Sequence, residues 1–321
     1  MHNGSLPPGS SGGGIFDQEA RLIGINGKFT SEGNTDIKYG KGIPLETYIA
    51  AQSNFIVPAN IEAPQDFVSV GKRKLKQGDY QGSIVEFDQA LASNPKDLDA
   101  LSGKAESYYR LENYDAAISS FDEVISLYPQ SKTAYLYRGS SYYGLKEYDK
   151  AIEDFDEAIR LYPQHALAYM IRGISYDDLG KYERAISDYD EAIRLDPQYA
   201  DAYYNLGISY KNLGEYDKAI EDFDEAIHLD PQYADAYYSR GNSYVSLKEY
   251  ERAIADYDEA IRLDPQDAGA YYNRGIIHQN TNNKSAALKD FEQAANLYQQ
   301  QGNNDWYERA LSQIQELREL N

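Results

Sequence analysis

Hydrophobic positions recur with a helical period through most of the chain. In residues 200–213, ADAYYNLGISYKNL, Tyr203, Leu206, Gly207 and Tyr210 fall on one helical face. Residues 217–230, DKAIEDFDEAIHLD, place Ala219, Ile220, Phe223, Ala226 and Ile227 on a second apolar stripe. Gly214-Glu215-Tyr216 reads as the turn between two helices, with Asp217 able to cap the second at its start. Pro231 closes the unit, because the residue before a proline is pushed away from helix.

This helix-turn-helix pattern repeats. Pro95, Pro129, Pro163, Pro197, Pro231 and Pro265 are 34 residues apart, and a fixed period of roughly 20–50 residues marks stacked repeats. With each proline at position 32, the units run 64–97, 98–131, 132–165, 166–199, 200–233, 234–267 and 268–301. Small residues recur inside them. Gly139, Gly173, Gly207, Gly241 and Gly275 stand at position 8, with Ala105 once in their place. Ala219 and Ala226 have counterparts at positions 20 and 27. Such residues let two helices approach closely, while aromatics at positions 4, 11, 17 and 24 fill the space around the crossing. A single pair cannot bury its stripes, so each pair must stack on the next. After the last unit, Trp306, Ala310, Ile314 and Leu317 lie at helical spacing, predicting a capping helix within 302–321 whose core includes Trp306.

Composition separates two zones. Of 32 Tyr in 321 residues, only Tyr39 and Tyr48 precede residue 64. The first zone is Gly-rich and mixed, with 51–63 as a linker, and the second is Tyr-rich and acidic. A net charge of −21 argues against nucleic acid and against an anionic membrane surface as partners. The absence of Cys excludes disulfides and thiolate chemistry, and no apolar run approaches a membrane span. No metal or other cofactor is expected. His2, His165, His228 and His278 are scattered, and runs such as Glu221–Glu225 sit within a helix, where carboxylates diverge. Gly24–Lys28 looks faintly like a phosphate loop, but Phe29 stands where Ser or Thr is needed. The N-terminus lacks the basic and apolar regions of a signal peptide, so a cytoplasmic location is the default expectation.

The repeat resembles the tetratricopeptide repeat family, on Tyr203, Leu206, Gly207, Tyr210, Ala219, Phe223, Ala226 and Pro231 and their counterparts in the other units. Position 4 is never Trp here, and the seventh unit has Gln299 for the proline and His278 for a Tyr. The resemblance implies an all-α, right-handed solenoid without enzymatic activity, whose first helices line a concave groove for a peptide or partner surface. The groove positions then hold Tyr109, Tyr143, Met170, Tyr204, Asn205, Tyr238, Asn242, Tyr272 and Asn273. Tyr supplies area and a hydroxyl, and Asn both donates and accepts. An extended partner, neutral or basic rather than acidic, is expected; alternatively some of these Tyr pack between adjacent first helices. The Lys-and-Asn set by which some family members hold an acidic tail is not present. Arg138, Arg172, Arg240 and Arg274 at position 7 are expected to pair with Asp154, Asp188, Asp256 and Asp290 at position 23 of the same units.

Residues 1–50 carry a second resemblance. Gly9-Ser10-Ser11-Gly12-Gly13-Gly14 precedes Ile15-Phe16, a turn at Asp17–Glu19, the strand Arg21–Ile25, and a helix start at Glu46–Ile49. This is similar to the C-terminal end of chymotrypsin-like (trypsin-like) serine proteases, as in bacterial proteins that join such a protease to tetratricopeptide repeats. Ser11 falls on the nucleophile position. The backbone N–H groups of Gly9 and Ser11 fall on the oxyanion hole, with Gly14 in place of the family's Pro. The other reading is a flexible Gly/Ser linker. A serine nucleophile needs a base and an orienting carboxylate, which this family carries well before the serine, and only His2 precedes Ser11 here. An inactive remnant is therefore expected, and the alternative function is the substrate-recruiting part of a protease whose His- and Asp-bearing half lies elsewhere. A secreted parent of that kind would place the chain outside the cytoplasm.

Overall fold

The repeat period becomes a repeat of paired helices. The computed structural model describes residues 66–319 and, as backbone, the strand residues 14–16, 22–25 and 43–44. Contacts divide the chain into Met1–Gln65 and Asp66–Asn321. In the first unit, β1 (Gly14–Phe16) pairs antiparallel with β2 (Leu22–Ile25), Gly14 opposite Ile25. On the other edge of β2, β3 (Ile43–Pro44) pairs with Gly24 opposite Pro44. These short pairings do not identify a protease. Ser11, Gly9, the Glu46–Ile49 helix start and the 51–63 linker lie outside the described residues.

The second unit is an all-α solenoid of fifteen helices in fourteen paired elements and one cap. The first pair is α1 (Phe67–Lys76) and α2 (Tyr80–Ser93), followed by α3 (Leu98–Arg110) and α4 (Tyr114–Leu127). Then come α5 (Lys132–Gly144) with α6 (Tyr148–Leu161), and α7 (Ala166–Asp178) with α8 (Tyr182–Leu195). The next pairs are α9 (Ala200–Asn212) with α10 (Tyr216–Leu229), and α11 (Ala234–Ser246) with α12 (Tyr250–Leu263). Last are α13 (Ala268–Asn280), α14 (Lys284–Gln300) and the capping α15 (Asn304–Glu319). Helix α14 is 17 residues long where its counterparts have 14. With Gln299 at the proline position, nothing stops it at residue 297.

Each pair is joined by the same left-handed turn. Position 15 has φ +81 at Gly78, +69 at Gly180 and +78 at Gly214, and Glu112, Lys146, Lys248 and Asn282 adopt φ of 57 to 63 at the same place. After Gly214 the Glu215 N–H donates back to the Tyr210 carbonyl at 2.9 Å, and the Gly214 N–H to Lys211 at 3.0 Å, the hydrogen-bond pattern that closes a helix on a left-handed residue. Two sequence expectations shift here. Tyr216 is the first helical residue of α10, not part of the turn, and Glu215 occupies its N-cap without a side-chain bond. Asp217 sits one position inside the helix, where its charge meets the helix dipole rather than capping the chain.

Side-chain caps concentrate at the ends of the stack. Asp66, Asp79, Asp97, Asn113 and Ser131 cap α1 to α5, and Asp267 and Asn283 cap α13 and α14. Helices α6 to α12 have no side-chain cap bond. A cap contributes about 1 kcal/mol, and α6 to α12 form without one because they pack against their neighbours.

The interior is a column of rings. Phe87, Phe121, Phe155, Tyr189, Phe223, Tyr257 and Phe291, all at position 24, are at most 1% exposed. The facing glycines leave room for them: a Cβ on Gly207 would sit 2.7 Å from Phe223 Cε1 and 3.1 Å from the Ala219 carbonyl oxygen. Helix α15 covers the last pair with Ala310, Ile314 and Leu317 against Ala287, Phe291 and Ala295. Trp306 departs from the expected core role. It is 37% exposed; its indole stacks on Tyr298 and meets Tyr272 edge-on at 5.3 Å.

Candidate functional site on the inner face

The first helices of successive pairs touch one another directly: α1 with α3, α3 with α5, α5 with α7, α7 with α9, and α9 with α11. No two second helices meet to the same extent. First helices therefore lie on the inner side of the curve, where the family resemblance puts positions 2, 5, 6, 9, 12 and 13 of each unit.

What holds this surface in place is an ion-pair staple between pairs. The Arg240 guanidinium grips Asp256 of its own pair through Nε (2.9 Å) and Nη2 (2.6 Å), and Nη1 reaches Asp224 of the preceding pair at 2.5 Å. Arg138 and Arg172 do the same with Asp154 and Asp122, and with Asp188 and Asp156. Arg274 grips Asp290 and reaches Asp258. The expected partners at position 23 are found, and the second carboxylate, at position 25 of the preceding pair, adds a bond between repeats.

One joint lacks the cation. Leu206 stands at position 7 of the α9–α10 pair and is buried in the core, so Asp222 and Asp190 have no guanidinium. Burial first, then the neighbouring Asp190 and Glu221 charges, push the Asp222 carboxyl up to about 7. The nearby Lys218 is paired with Glu215 and lies over the Tyr210 ring. The folded state thus holds a proton on Asp222 that the unfolded chain releases near the ordinary carboxylate range. Stability falls as pH rises from about 4 through 7. Asp222→Asn is expected to melt with the parent at pH 4 and at a higher temperature than the parent at pH 8. Identical melting curves at pH 8 would show that Asp222 is ionised without cost.

The sequence-selected residues occupy this face unequally. Met170 does not line it: at 4% exposure it is packed in the core with Ala185, Tyr189 and Leu206, because at this joint the position-5 side chain turns into the helix crossing. The others are half-buried. Tyr109 packs edge-on against Tyr137 at 5.2 Å, and Tyr143 packs on Tyr148 at 5.5 Å. Burial and a hydrogen bond to Asp178 push the Tyr143 phenol up. Tyr204 lies 4.9 Å from Tyr233, and the Asn205 side chain donates to the Asp201 carbonyl at 2.7 Å. Tyr272 lies between Phe291 and Trp306.

Several polar groups of the face are already engaged. Asn273 Nδ2 donates to the Tyr238 hydroxyl (3.1 Å) and to Asn242 Oδ1 (3.0 Å), and Tyr257 donates to the same Oδ1 at 2.7 Å. Asp177 of α7 accepts from Tyr189 of its own pair at 2.8 Å and from Ser209 of the following helix α9. The two column rings that are Tyr instead of Phe are the two that find an acceptor on the inner face, as a buried phenol requires. The signal lies in the sequence: Tyr replaces Phe at position 24 only in the units that carry Asp177 and Asn242.

Between α11 and α13 the face deepens into a cavity of about 480 Å³, with Asp235, Tyr238, Asp267, Gly269, Asn273 and Trp306 among its walls. Asp235 stands at position 2, one of the positions expected to face the groove, whereas nothing in the sequence pattern points to Asp267 or Trp306 there. Among the described residues there is no grouping of side chains suited to a metal ion, and no helix is long and apolar enough to cross a membrane.

Comparison with known proteins bears on the fold. Family models described as "Tetratricopeptide repeat" match residues 71–132, 103–166, 204–268 and 241–317, and one described as "TPR repeat" matches 173–214. None of these matches reaches the segment that resembles a protease. No curated protein matches the chain. Among solved structures it is similar to a tetratricopeptide repeat protein from Parabacteroides merdae, at 22% identity over 76% of this chain and 97% of that one, with TM-score 0.59. It is similar to YrrB, titled a TPR protein with an unusual peptide-binding site, at 24% identity over 59% and 97%, TM-score 0.51. It is also similar to a chain of the APC/C hetero-tetramer Cut9–Hcn1, at 19% identity over 80% and 50%, TM-score 0.58. At these identities the likeness is one of fold.

Proposed function

Because this chain belongs to the tetratricopeptide repeat family, we propose that it is a protein-interaction scaffold that holds an extended segment of a partner along its inner face. The observation that carries this reading is the direct contact of successive first helices. From α1 to α11 this contact brings the first helices of successive repeats side by side, which supports a shared surface bearing half-buried tyrosines. Tyr109, Tyr143, Tyr204, Tyr238 and Tyr272 offer apolar area there, and Asn205, Asn242 and Asn273 offer amide groups next to it. Half-buried rings lose little rotamer freedom on binding and carry a polar tip, a favourable combination for recognition. With a chain charge of −21 and Asp201 and Asp235 exposed on the first turns of α9 and α11, the partner segment is neutral or basic.

The test is a selection of random peptides displayed on phage against the full chain, followed by anisotropy with the selected peptides. Tyr143→Ala combined with Tyr204→Ala is expected to weaken binding at least about tenfold, the equivalent of 1.4 kcal/mol, with helix content by circular dichroism unchanged. Failure to select any peptide, or equal affinity for the double variant, would remove the inner face as the binding surface.

A further inference from the structure

One joint of the inner face differs from the joint before it by a substitution that changes its chemistry. Between α9 and α11, Tyr233 fills the space: its ring lies 4.9 Å from Tyr204, and its phenol is hydrogen-bonded to Asp201. The same three positions one repeat later hold Asp267, Tyr238 and Asp235. The ring that would complete the joint is absent from the sequence, and a carboxylate stands in its place. Gly269 follows, where the previous pair has Asp235. Its backbone is so close that a Cβ would lie 3.2 Å from Asp267 Oδ1 and 3.3 Å from the Tyr238 hydroxyl. The cavity of about 480 Å³ opens at this point.

Its chemistry is one-sided. Asp235, Asp264 and Asp267 contribute carboxylates, Tyr238, Tyr298 and Trp306 contribute aromatic walls, and none of its lining residues is Lys, Arg or His. Burial raises the Asp267 carboxyl, and Asp264 and Asp235 add to the effect, against the Ala270 N–H that it accepts. A group that fits must be flat enough to replace a phenol against Tyr238, must donate hydrogen bonds to separate carboxylates, and must carry positive charge. A guanidinium meets all three conditions and an ammonium fails the first. The protein already uses guanidinium in both ways, with Arg240 bridging two carboxylates and Arg309 lying 4.7 Å over the Trp306 ring.

We propose that this cavity receives an arginine side chain from the extended partner segment, stacked against Tyr238, hydrogen-bonded to Asp235 and Asp267, and walled at one side by Trp306. The proposal rests on the scaffold reading and names the residue that the partner must supply.

Trp306 is the only Trp in the chain and lies at the cavity wall, so its emission, excited at 295 nm, reports occupancy. The full chain is titrated with Nα-acetyl-arginine methylamide, with the isosteric but uncharged citrulline compound, and with the lysine compound. Arginine is expected to give a saturable change at millimolar concentration. Citrulline should bind at least about tenfold more weakly, since a guanidinium–carboxylate contact exceeds a neutral one, and lysine should lie between. Asp267→Tyr restores the residue found at 199 and 233, positions that begin α9 and α11 without a side-chain cap. It should abolish the arginine response, and Asp235→Asn, at an exposed position, should weaken it several-fold. Equal titrations with arginine and citrulline, no saturable response, or an undiminished response in both variants would overturn the proposal. Phage-selected peptides that bind without any dependence on arginine would also overturn it while leaving the scaffold reading intact. Conversely, an arginine response without any selected peptide would count against the extended groove alone.

Discussion

Arg240→Met is expected to cost about 3–5 kcal/mol of stability at pH 7.5, the range for breaking a buried ion pair by removing one partner. Asp256 is only 5% exposed and takes two bonds from this guanidinium. With the arginine gone, its charge is buried without compensation. Methionine keeps the apolar stem of the side chain, so the loss reads electrostatics rather than a cavity. The pH dependence separates the two further. Burial already raises Asp256 against the lowering effect of Arg240, and without Arg240 the carboxyl rises more. The variant therefore regains stability relative to the parent as pH falls toward 4, where Asp256 takes up a proton. Urea denaturation at pH 7.5 and pH 4 measures both quantities. A loss of under 1 kcal/mol at pH 7.5 would show the staple to be no stronger than an exposed pair.

Gly207→Leu is expected to cost roughly 1–3 kcal/mol or more by overpacking. Even the first added atom would approach Phe223 Cε1 to 2.7 Å and the Ala219 carbonyl oxygen to 3.1 Å. The ring could turn aside, but the backbone of α10 cannot. Stacked repeats share their core only with neighbours, so the damage centres on the joints on either side of α9. Gly207→Ala should lie between the parent and the leucine variant in thermal melts. An unchanged melting temperature for Gly207→Leu would mean that position 8 is not the crossing point of the two helices.

Much of this fold is legible in the chain itself. The 34-residue spacing of the prolines, the Gly at position 8 and the Ala at positions 20 and 27 identify paired helices and their contact. Ala219, Phe223 and Ala226 are indeed fully buried. The Arg-to-Asp pairing within a repeat was also readable, as residues at constant separation on facing helices. The second carboxylate was not, since pairing Arg240 with Asp224 depends on how one repeat sits on the last. Met170 shows the same boundary. Position 5 is half-buried in the units with Tyr204, Tyr238 and Tyr272, but at the α7–α9 joint that side chain is core. Trp306 went the other way, because spacing along α15 tells which residues share a face but not which of them the preceding helices cover.

What this sequence determined alone is a period, and with it the helix pairs, their turns and the ring-and-glycine crossings. Each of these depends on contacts within a single unit, between residues at short, repeating separations. The relative placement of successive units was decided only in three dimensions. It assembles the stapling arginines across repeats, leaves Asp190 and Asp222 facing each other beside Leu206, and opens a cavity where Asp267 follows a tyrosine's place. Those features arise between units, where one substituted residue changes a joint without disturbing the period that announces it.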